Sequence, residues 1–111
     1  MQDRETELAL SDFSNPLKLA RFKQMMNETN ACMAKREKTG SPSDTDDCEN
    51  AELSIQNYWT FHTHPHGKTT PSGLDIQTSK RLGKKLMCIG LAPNGKIVCY
   101  DTVGKRIIRE F

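Results

Sequence analysis

The stretch Phe61-His62-Thr63-His64-Pro65-His66-Gly67-Lys68-Thr69-Thr70-Pro71-Ser72-Gly73-Leu74-Asp75 contains all three histidines of the chain. Residues 58–64 alternate aromatic and polar side chains, which predicts a β-strand. On a strand, side chains two positions apart point to the same face, and their α-carbons lie about 6.6 Å apart. We therefore expect the His62 and His64 rings to reach one common metal ion.

A third ligand follows, because Asp75 lies eleven residues after His64. Ser72 is typical of the entry to a helix, which we predict over residues 73–85, with Asp75 in its first turn. The buried anchors predicted for this helix are Ile76, Leu82 and Leu86. Catalytic zinc sites use three protein ligands and a water, with imidazole nitrogens at ~2.0–2.1 Å. His62, His64 and Asp75 are therefore predicted to hold Zn²⁺.

A simpler interpretation exists for part of this pattern. The residues Ser72-x-x-Asp75 also match a capping box, in which the serine hydroxyl and the acid stabilise a helix N-terminus without any metal. Two histidines two positions apart also occur without a shared ion. The joint spacing H-x-H-P-x(6)-S-x-x-D constrains four polar residues in one short window, and it favours a metal site.

The residues His62-Thr63-His64-Pro65, followed by Ser72 and Asp75, resemble the JAMM motif of the JAB/MPN-domain metalloproteases. The resemblance covers the second half of the chain, and the first half only weakly. It implies a cytidine-deaminase-like α/β fold, with a mixed β-sheet flanked by helices, and a single catalytic zinc ion. It further implies hydrolysis of peptide or isopeptide bonds in a protein substrate, often at the C-terminus of a ubiquitin-like protein.

The resemblance also implies two further catalytic residues. Ser72 would stabilise the oxyanion, and an upstream glutamate at the start of a strand would accept the proton of the metal-bound water. We favour Glu28, which follows a helix predicted over residues 17–27 and opens residues 28–34, for which we predict a short strand while the alanine content leaves a helix as the alternative. That segment departs from the family's E-x-x-G-x-L pattern by alanine for glycine and methionine for leucine. Glu28 as a plain surface residue at a helix end is the alternative.

Other glutamates compete for this role. Glu5 and Glu7 would require the first helix to be absent or displaced. Residues 5–10 alternate partially and predict an opening strand. Glu49 and Glu52 lie close to the histidine strand in sequence, which argues against their coming from a separate strand.

The composition indicates one soluble globular domain over residues 1–111, with 35% hydrophobic and 27% charged residues. A net charge of +2 gives no reason to expect a nucleic-acid partner. No apolar run approaches the ~20 residues of a membrane span, and no signal-peptide core follows Met1. The cytoplasm is therefore the expected location, and the sequence specifies no oligomeric state.

The cysteines contain no C-x-x-C pair; they are Cys32, Cys48, Cys88 and Cys99. We expect them to be mainly small buried hydrophobic residues, with disulfide formation left open. A zinc deaminase would require cysteine ligands in a P-C-x-x-C arrangement, which the chain lacks. A non-catalytic MPN-type interaction scaffold is the other alternative, but such domains usually lack the metal ligands, and all three are present.

The remaining elements complete a predicted mixed sheet with at least one helix on each side. Residues 36–50 are polar, contain Gly40-Ser41-Pro42-Ser43-Asp44 and predict a mobile loop. Residues 51–56 predict a strand, as do residues 86–92 and 96–100 on either side of a turn at 93–95. A turn at 101–104 precedes a last predicted strand over residues 106–111.

Overall fold

The computed structural model describes residues 4–40, 46–102 and 106–111. The helices and strands of these residues, in chain order, are α1 (Arg4–Phe13), α2 (Pro16–Lys38), β1 (Ala51–Leu53), β2 (Trp59–His64), α3 (Gly73–Arg81), β3 (Leu86–Leu91), β4 (Lys96–Asp101) and β5 (Ile107–Glu110). A 3₁₀ turn, Asp46–Cys48, precedes β1. The predicted strands beginning at residues 51, 58, 86, 96 and 106 are all present, within one or two residues at their starts.

The five strands form one sheet in the order β1-β2-β3-β4-β5. Strands β2 and β3 are parallel and are joined through α3, whereas the other neighbours are antiparallel. The predicted mixed α/β sheet is therefore confirmed. In this register Ala51 of β1 lies opposite His62, and β1 forms one edge of the sheet.

Aromatic side chains decide which face of the sheet the first two helices cover. Phe13 of α1 and Phe22 of α2 are fully buried against Trp59 and Phe61 of β2. The rings of Phe22 and Phe61 stack with centroids 4.4 Å apart. Burying an aromatic side chain of this size contributes about 1.5–3 kcal/mol. Since side chains alternate along β2, His62 and the other even-numbered residues of the strand face the opposite side.

Helix α3 covers that opposite face. Ile76 and Ser79 are its buried residues, and Ser79 Oγ lies 3.2 Å from Thr60 Oγ1 of β2. The prediction of helices on both sides of the sheet is therefore confirmed. The predicted extension of the helix to residue 85 is wrong, because Gly83 adopts φ +72° just beyond the helix end. Glycine takes this left-handed conformation at low cost and ends helices in this way.

Two of the three predicted anchors of this helix are also misplaced. Leu82 is 46% exposed at the end of the helix, and Leu86 belongs to β3. Ile76 alone is buried as expected. Leu82 is the C-cap of the helix, next to the turn at Gly83, and its side chain is therefore only partly covered.

The first third of the chain is helical where strands were predicted. Residues 5–10 lie in α1, whose buried residues Thr6, Ala9, Leu10 and Phe13 recur at the helical spacing of three and four. Residues 28–34 lie in α2, which continues to Lys38 instead of ending near residue 27. Both strand predictions are therefore wrong. Short windows of partial alternation fit a helix as well when one helical side is buried.

The predicted loop over residues 36–50 is shorter than expected. Residues 36–38 belong to α2, and the 3₁₀ turn occupies residues 46–48. Residues 41–45, which hold most of the Gly-Ser-Pro-Ser-Asp motif, lie outside the described residues, as do residues 103–105 of the turn predicted at 101–104.

Asp12 ties the helical layer to the start of β2. Its carboxylate accepts hydrogen bonds from Lys18 Nζ at 2.7 and 2.8 Å, from Asn57 Nδ2 and from Trp59 Nε1. Burial opposes ionisation of Asp12, but the hydrogen bonds from Lys18 and Trp59 and the charge of Lys18 outweigh it and lower the pKa. Asp12 is therefore ionised and fixes where the strand that carries the histidines begins.

Candidate metal centre

The structure brings the three predicted metal ligands together. The Nε2 atoms of His62 and His64 lie 3.0 Å apart at the end of β2. Asp75 Oδ2, from the first turn of α3, lies 3.4 Å from His62 Nε2 and 3.8 Å from His64 Nε2. The strand supplies two donor atoms, and the helix N-terminus supplies the third from across the sheet face.

These separations fit a metal ion. A point equidistant from three atoms that are 3.0, 3.4 and 3.8 Å apart lies about 2.0 Å from each, the bond length that zinc makes to imidazole nitrogen and carboxylate oxygen. His62, His64 and Asp75 could thus hold an ion together. Three protein ligands leave a further coordination position for water or substrate.

Hydrogen bonding sets the tautomer of His64. Its Nδ1 lies 2.7 Å from the backbone oxygen of Lys68. A carbonyl oxygen only accepts, so Nδ1 carries the proton and Nε2 presents its lone pair to the cluster. At the 3.0 Å contact between the two rings, His62 Nε2 is then the donor. A metal ion would take the place of that proton.

His62 is in the form that binds metal at neutral pH. Its side chain is buried, with a residue exposure of 8%. Burial lowers the pKa of His62 and outweighs the opposing effect of the Asp75 charge, while His64 lowers it further. A neutral imidazole results, and this is the form that ligates metal ions.

Asp75 serves the helix and the cluster with the same carboxylate. Ser72 Oγ accepts a hydrogen bond from Asp75 N at 3.1 Å, and Ser72 N donates to Asp75 Oδ2 at 2.9 Å. This is a complete capping box. Burial opposes ionisation of Asp75, but the hydrogen bonds from Ser72 and the two nearby histidines lower its pKa. The cap and the metal-ligand interpretations are therefore compatible.

Ser72 itself stands beside the cluster at the N-cap of α3. Its Oγ accepts from Asp75 N, and its side chain also makes a hydrogen bond that lowers the pKa of the Asp75 carboxyl. The structure thus places the Ser72 hydroxyl directly beside Asp75.

The structure does not bring Glu28 to the cluster. Glu28 is exposed on α2, where its Oε1 lies 3.9 Å from Arg21 Nη1. Helix α2 packs on the face of β2 that carries Phe61, whereas His62 points to the opposite face. The position expected for Glu28 depended on a strand over residues 28–34, and those residues are helical. Glu5 and Glu7 belong to α1, which packs with α2.

Two further carboxylates belong to residues of the cleft beside the cluster. This cleft of about 300 Å³ is lined by His62 and Asp75, and also by Glu49 and Glu52. The N–H of Thr63 donates to the backbone oxygen of Asn50 at 2.8 Å, which continues the β1–β2 pairing past the end of β1. Since Ala51 lies opposite His62, the same register places Glu49 opposite His64.

Alternation along this segment separates the two neighbouring glutamates. Glu49 has the same parity as Ala51 and so faces the side of His62 and His64, whereas Glu52 faces the other side. Sequence reasoning set Glu49 aside because it is close to the histidine strand in the chain. It missed that β1 is itself the neighbouring antiparallel strand. Counting back from the turn between residues 53 and 59 was the available signal.

The rest of the cleft is largely apolar. Leucines on three elements line it, namely Leu53, Leu74 and Leu82, with exposures of 45%, 71% and 46%. Thr60 and Met87 line its inner side. An extended chain with apolar side chains could lie here beside the three ligands.

Comparisons of this chain with protein-family models, with curated proteins and with solved structures find no match. Within the described residues, no helix is long and apolar enough to cross a membrane. The function has therefore to be inferred from the chemistry of the residues around His62, His64 and Asp75.

Proposed function

We propose that this chain is a zinc-dependent metallopeptidase of the JAMM type that hydrolyses a peptide or isopeptide bond. The observation that carries the proposal is the convergence of His62, His64 and Asp75, with donor atoms 3.0–3.8 Å apart, beside a cleft that His62 and Asp75 line together with Glu49. Three protein ligands with one open position are typical of catalytic zinc sites, whereas structural sites are closed by four.

Zinc bound by these ligands would lower the pKa of a water to ~7 and polarise the scissile carbonyl. In place of Glu28, we assign the proton transfer to Glu49, because it lines the cleft beside His62 and Asp75 and, unlike Glu52, has the strand parity of the residues that face the histidine side. Glu49 takes the proton of the attacking water and delivers it to the leaving amine. That amine is a lysine side chain if the bond is an isopeptide.

Ser72 is assigned to the oxyanion. Its hydroxyl is not required as a donor by the capping box, so it can turn from the Asp75 carboxylate to the negative oxygen that develops during attack. Removing one such donor typically slows turnover by about 10²–10³-fold. The Ser72 role is the one that the family resemblance implies.

For the substrate we propose the C-terminal segment of a ubiquitin-like protein. The family resemblance suggests this class, and the cleft is compatible with it, since Leu53, Leu74 and Leu82 offer apolar contacts to an extended chain. The bond to be cleaved would then lie beside Asp75 and Glu49.

A non-catalytic interaction scaffold is the second candidate. The exposed leucines that favour a peptide substrate would equally dock a partner without any chemistry, because exposed apolar clusters often mark interaction sites. Hydrolysis and its dependence on zinc distinguish the two candidates.

The test is hydrolysis of a ubiquitin-like protein joined through its C-terminus to a lysine side chain in a fluorescent peptide. We expect zinc-dependent release that stops with a chelator. At saturating zinc, Glu49→Gln should still hold the ion but reduce turnover by about 10²–10⁴-fold. The controls are Glu52→Gln and Glu28→Gln, and both should remain active. Glu52 lies one strand position beyond Ala51 but on the opposite face.

Activity in Glu49→Gln with loss in Glu28→Gln would overturn the assignment of the proton acceptor. Zinc-loaded wild type that binds such conjugates without cleaving them would favour the scaffold.

A further inference from the structure

A disulfide lies immediately before the proposed proton acceptor. Cys32 of α2 is bonded to Cys48, with α-carbons 5.6 Å apart. Cys48 ends the 3₁₀ turn and is followed directly by Glu49. We call this bond the clasp. It fastens the segment that carries Glu49 to a long helix on the opposite side of the sheet.

A chain of buried hydrogen bonds joins the two residues on either side of Glu49 in the sequence. Thr29 Oγ1 donates to the Cys48 backbone oxygen at 3.1 Å and lies 2.8 Å from Thr63 Oγ1. Thr63 Oγ1 in turn accepts from the backbone N–H of Asn50 at 2.8 Å. Because the Thr29 proton goes to Cys48, Thr63 is the donor between the two hydroxyls. The residues before and after Glu49 are thus joined through two threonines that are fully buried.

The metal ligands are held by other elements. His62 and His64 are carried by β2, and Asp75 is fixed by the capping box of α3. Neither element contains Cys32 or Cys48. Opening the clasp therefore removes a covalent attachment of the segment that carries Glu49, and it breaks no bond within the elements that carry the three ligands.

The two disulfides differ in their access to solvent. Cys88 and Cys99 are both fully buried between β3 and β4. Cys32 is half-buried and lines a surface cleft with Lys35, Arg36 and Thr39. Cations beside a cysteine stabilise thiolates, so this cleft favours attack by an anionic thiolate at Cys32. Cys48 is only 4% exposed, which makes it the leaving sulfur.

We propose that the clasp positions Glu49 in the cleft, and that its reduction by a dithiol releases Glu49 from the metal centre. One thiolate attacks Cys32 Sγ and expels Cys48 as a thiolate, and the second thiol then displaces Cys32 and closes the reductant's own disulfide. Two electrons and two protons pass from the dithiol to the two cysteines. This inference rests on the proposed function, because it concerns the position of the proposed proton acceptor.

The experiment measures zinc affinity by competition with a chromophoric chelator. A carboxylate about 6 Å from a dication, in surroundings with the dielectric constant of water, strengthens binding by about tenfold. We therefore expect Glu49→Gln to weaken zinc binding by about that factor. The matched control is Glu52→Gln on the other face of the same segment, which should change affinity little.

The clasp is tested by combining substitutions. Cys32→Ser/Cys48→Ser should weaken zinc binding by the same factor as Glu49→Gln, and adding Glu49→Gln to it should weaken binding no further, since interacting sites are not additive. A purely stabilising clasp would lower the unfolding temperature and leave the effect of Glu49→Gln intact. The inference would be overturned if the effects of the cysteine and Glu49 substitutions on zinc affinity multiplied, or if Cys32→Ser/Cys48→Ser had the zinc affinity of wild type. An unchanged zinc affinity in Glu49→Gln would also overturn it.

A second arm uses the wild-type chain and does not depend on the folding of the serine variant. Reduction with tris(2-carboxyethyl)phosphine followed by alkylation should modify Cys32 and Cys48 and spare Cys88 and Cys99. Zinc affinity should fall about tenfold. Unchanged affinity after the clasp is open refutes the inference. Failure of the untreated wild type to bind zinc would instead overturn the proposed function, and the inference would fall with it.

Discussion

Asp75 has two roles that a pair of substitutions can separate. Ser72→Ala removes the hydroxyl that caps α3 but leaves the Asp75 carboxylate, whereas Asp75→Asn keeps an oxygen that can accept from Ser72 N and removes the charge that faces His62 at 3.4 Å. A serine cap is worth about 1 kcal/mol. Losing a partly exposed charge at the helix N-terminus costs about 0.3–1 kcal/mol. Without zinc, the Tm should therefore fall by about 4–8 °C in Ser72→Ala and by about 1–8 °C in Asp75→Asn.

With zinc the two variants should separate. Zinc at 100 times its Kd stabilises the folded chain by about 2.7 kcal/mol, provided that the unfolded chain does not bind it. For each kcal/mol of this stabilisation, the Tm of wild type and of Ser72→Ala should rise by about 4–8 °C. A carboxamide is a poor ligand for zinc, so Asp75→Asn should gain almost nothing at the same zinc concentration.

The assay is thermal unfolding followed by circular dichroism, with and without zinc. If Asp75→Asn is stabilised by zinc as much as wild type, Asp75 is only a helix cap. If Ser72→Ala loses the zinc effect and Asp75→Asn keeps it, the assignment of the third ligand is reversed.

Three further predictions concern the scaffold and its pH dependence. Gly90→Ala should lower the free energy of unfolding in urea by about 1–3 kcal/mol, because a Cβ there would lie 2.7 Å from Met26 Sδ. Adding Met26→Ala to this variant should recover part of the loss. An unchanged urea midpoint for Gly90→Ala would contradict this packing. The pKa of Asp12 is lower in the folded chain than in the unfolded chain, so ionised Asp12 stabilises the fold above its unfolded pKa, and this stability is lost as the pH falls through its folded pKa. Asp12→Asn should therefore make the free energy of unfolding depend less on pH in the acid range. An unchanged acid dependence would contradict this. Burial lowers the pKa of His62, so the metal-free chain should become less stable as the pH falls below ~6.5. His62→Gln should remove this pH dependence of the free energy of unfolding, measured in urea between pH 7 and 5. A pH dependence that survives the substitution must come from other groups.

The metal ligands could be predicted from sequence because they are set by local geometry. His62 and His64 share a face of one strand, and Asp75 sits three residues after the serine that caps the next helix. Neither relation depends on how distant parts of the chain pack. The strands β2 and β3 and the turn before β4 were also visible, since the strands are short apolar runs bounded by turn residues.

The proton acceptor could not be predicted in the same way. Glu49 reaches the cluster only through the pairing of β1 with β2, and its position depends on a register that sequence alone does not fix. Glu28 was favoured because the helix before it was expected to end, yet α2 contains neither glycine nor an internal proline to stop it. Burial of Phe22, Met26 and Thr29 on the sheet side keeps this helix continuous past Glu28.

The cysteines show a similar limit. Cys48, Cys88 and Cys99 are buried, as expected for small hydrophobic residues. Their pairing became visible only from the fold. Cys88 and Cys99 are cross-strand neighbours in β3 and β4, and Cys32 meets Cys48 because α2 extends beyond its predicted end.

The most direct test of the metal centre is the zinc content of the purified chain after dialysis against zinc, measured by elemental analysis. Wild type should retain about one zinc ion per chain, as expected for three protein ligands and a water. The His62→Ala/His64→Ala variant should retain none and should keep its circular dichroism spectrum. A folded wild type without zinc, or a variant with the same zinc content as wild type, would contradict a metal centre at His62, His64 and Asp75.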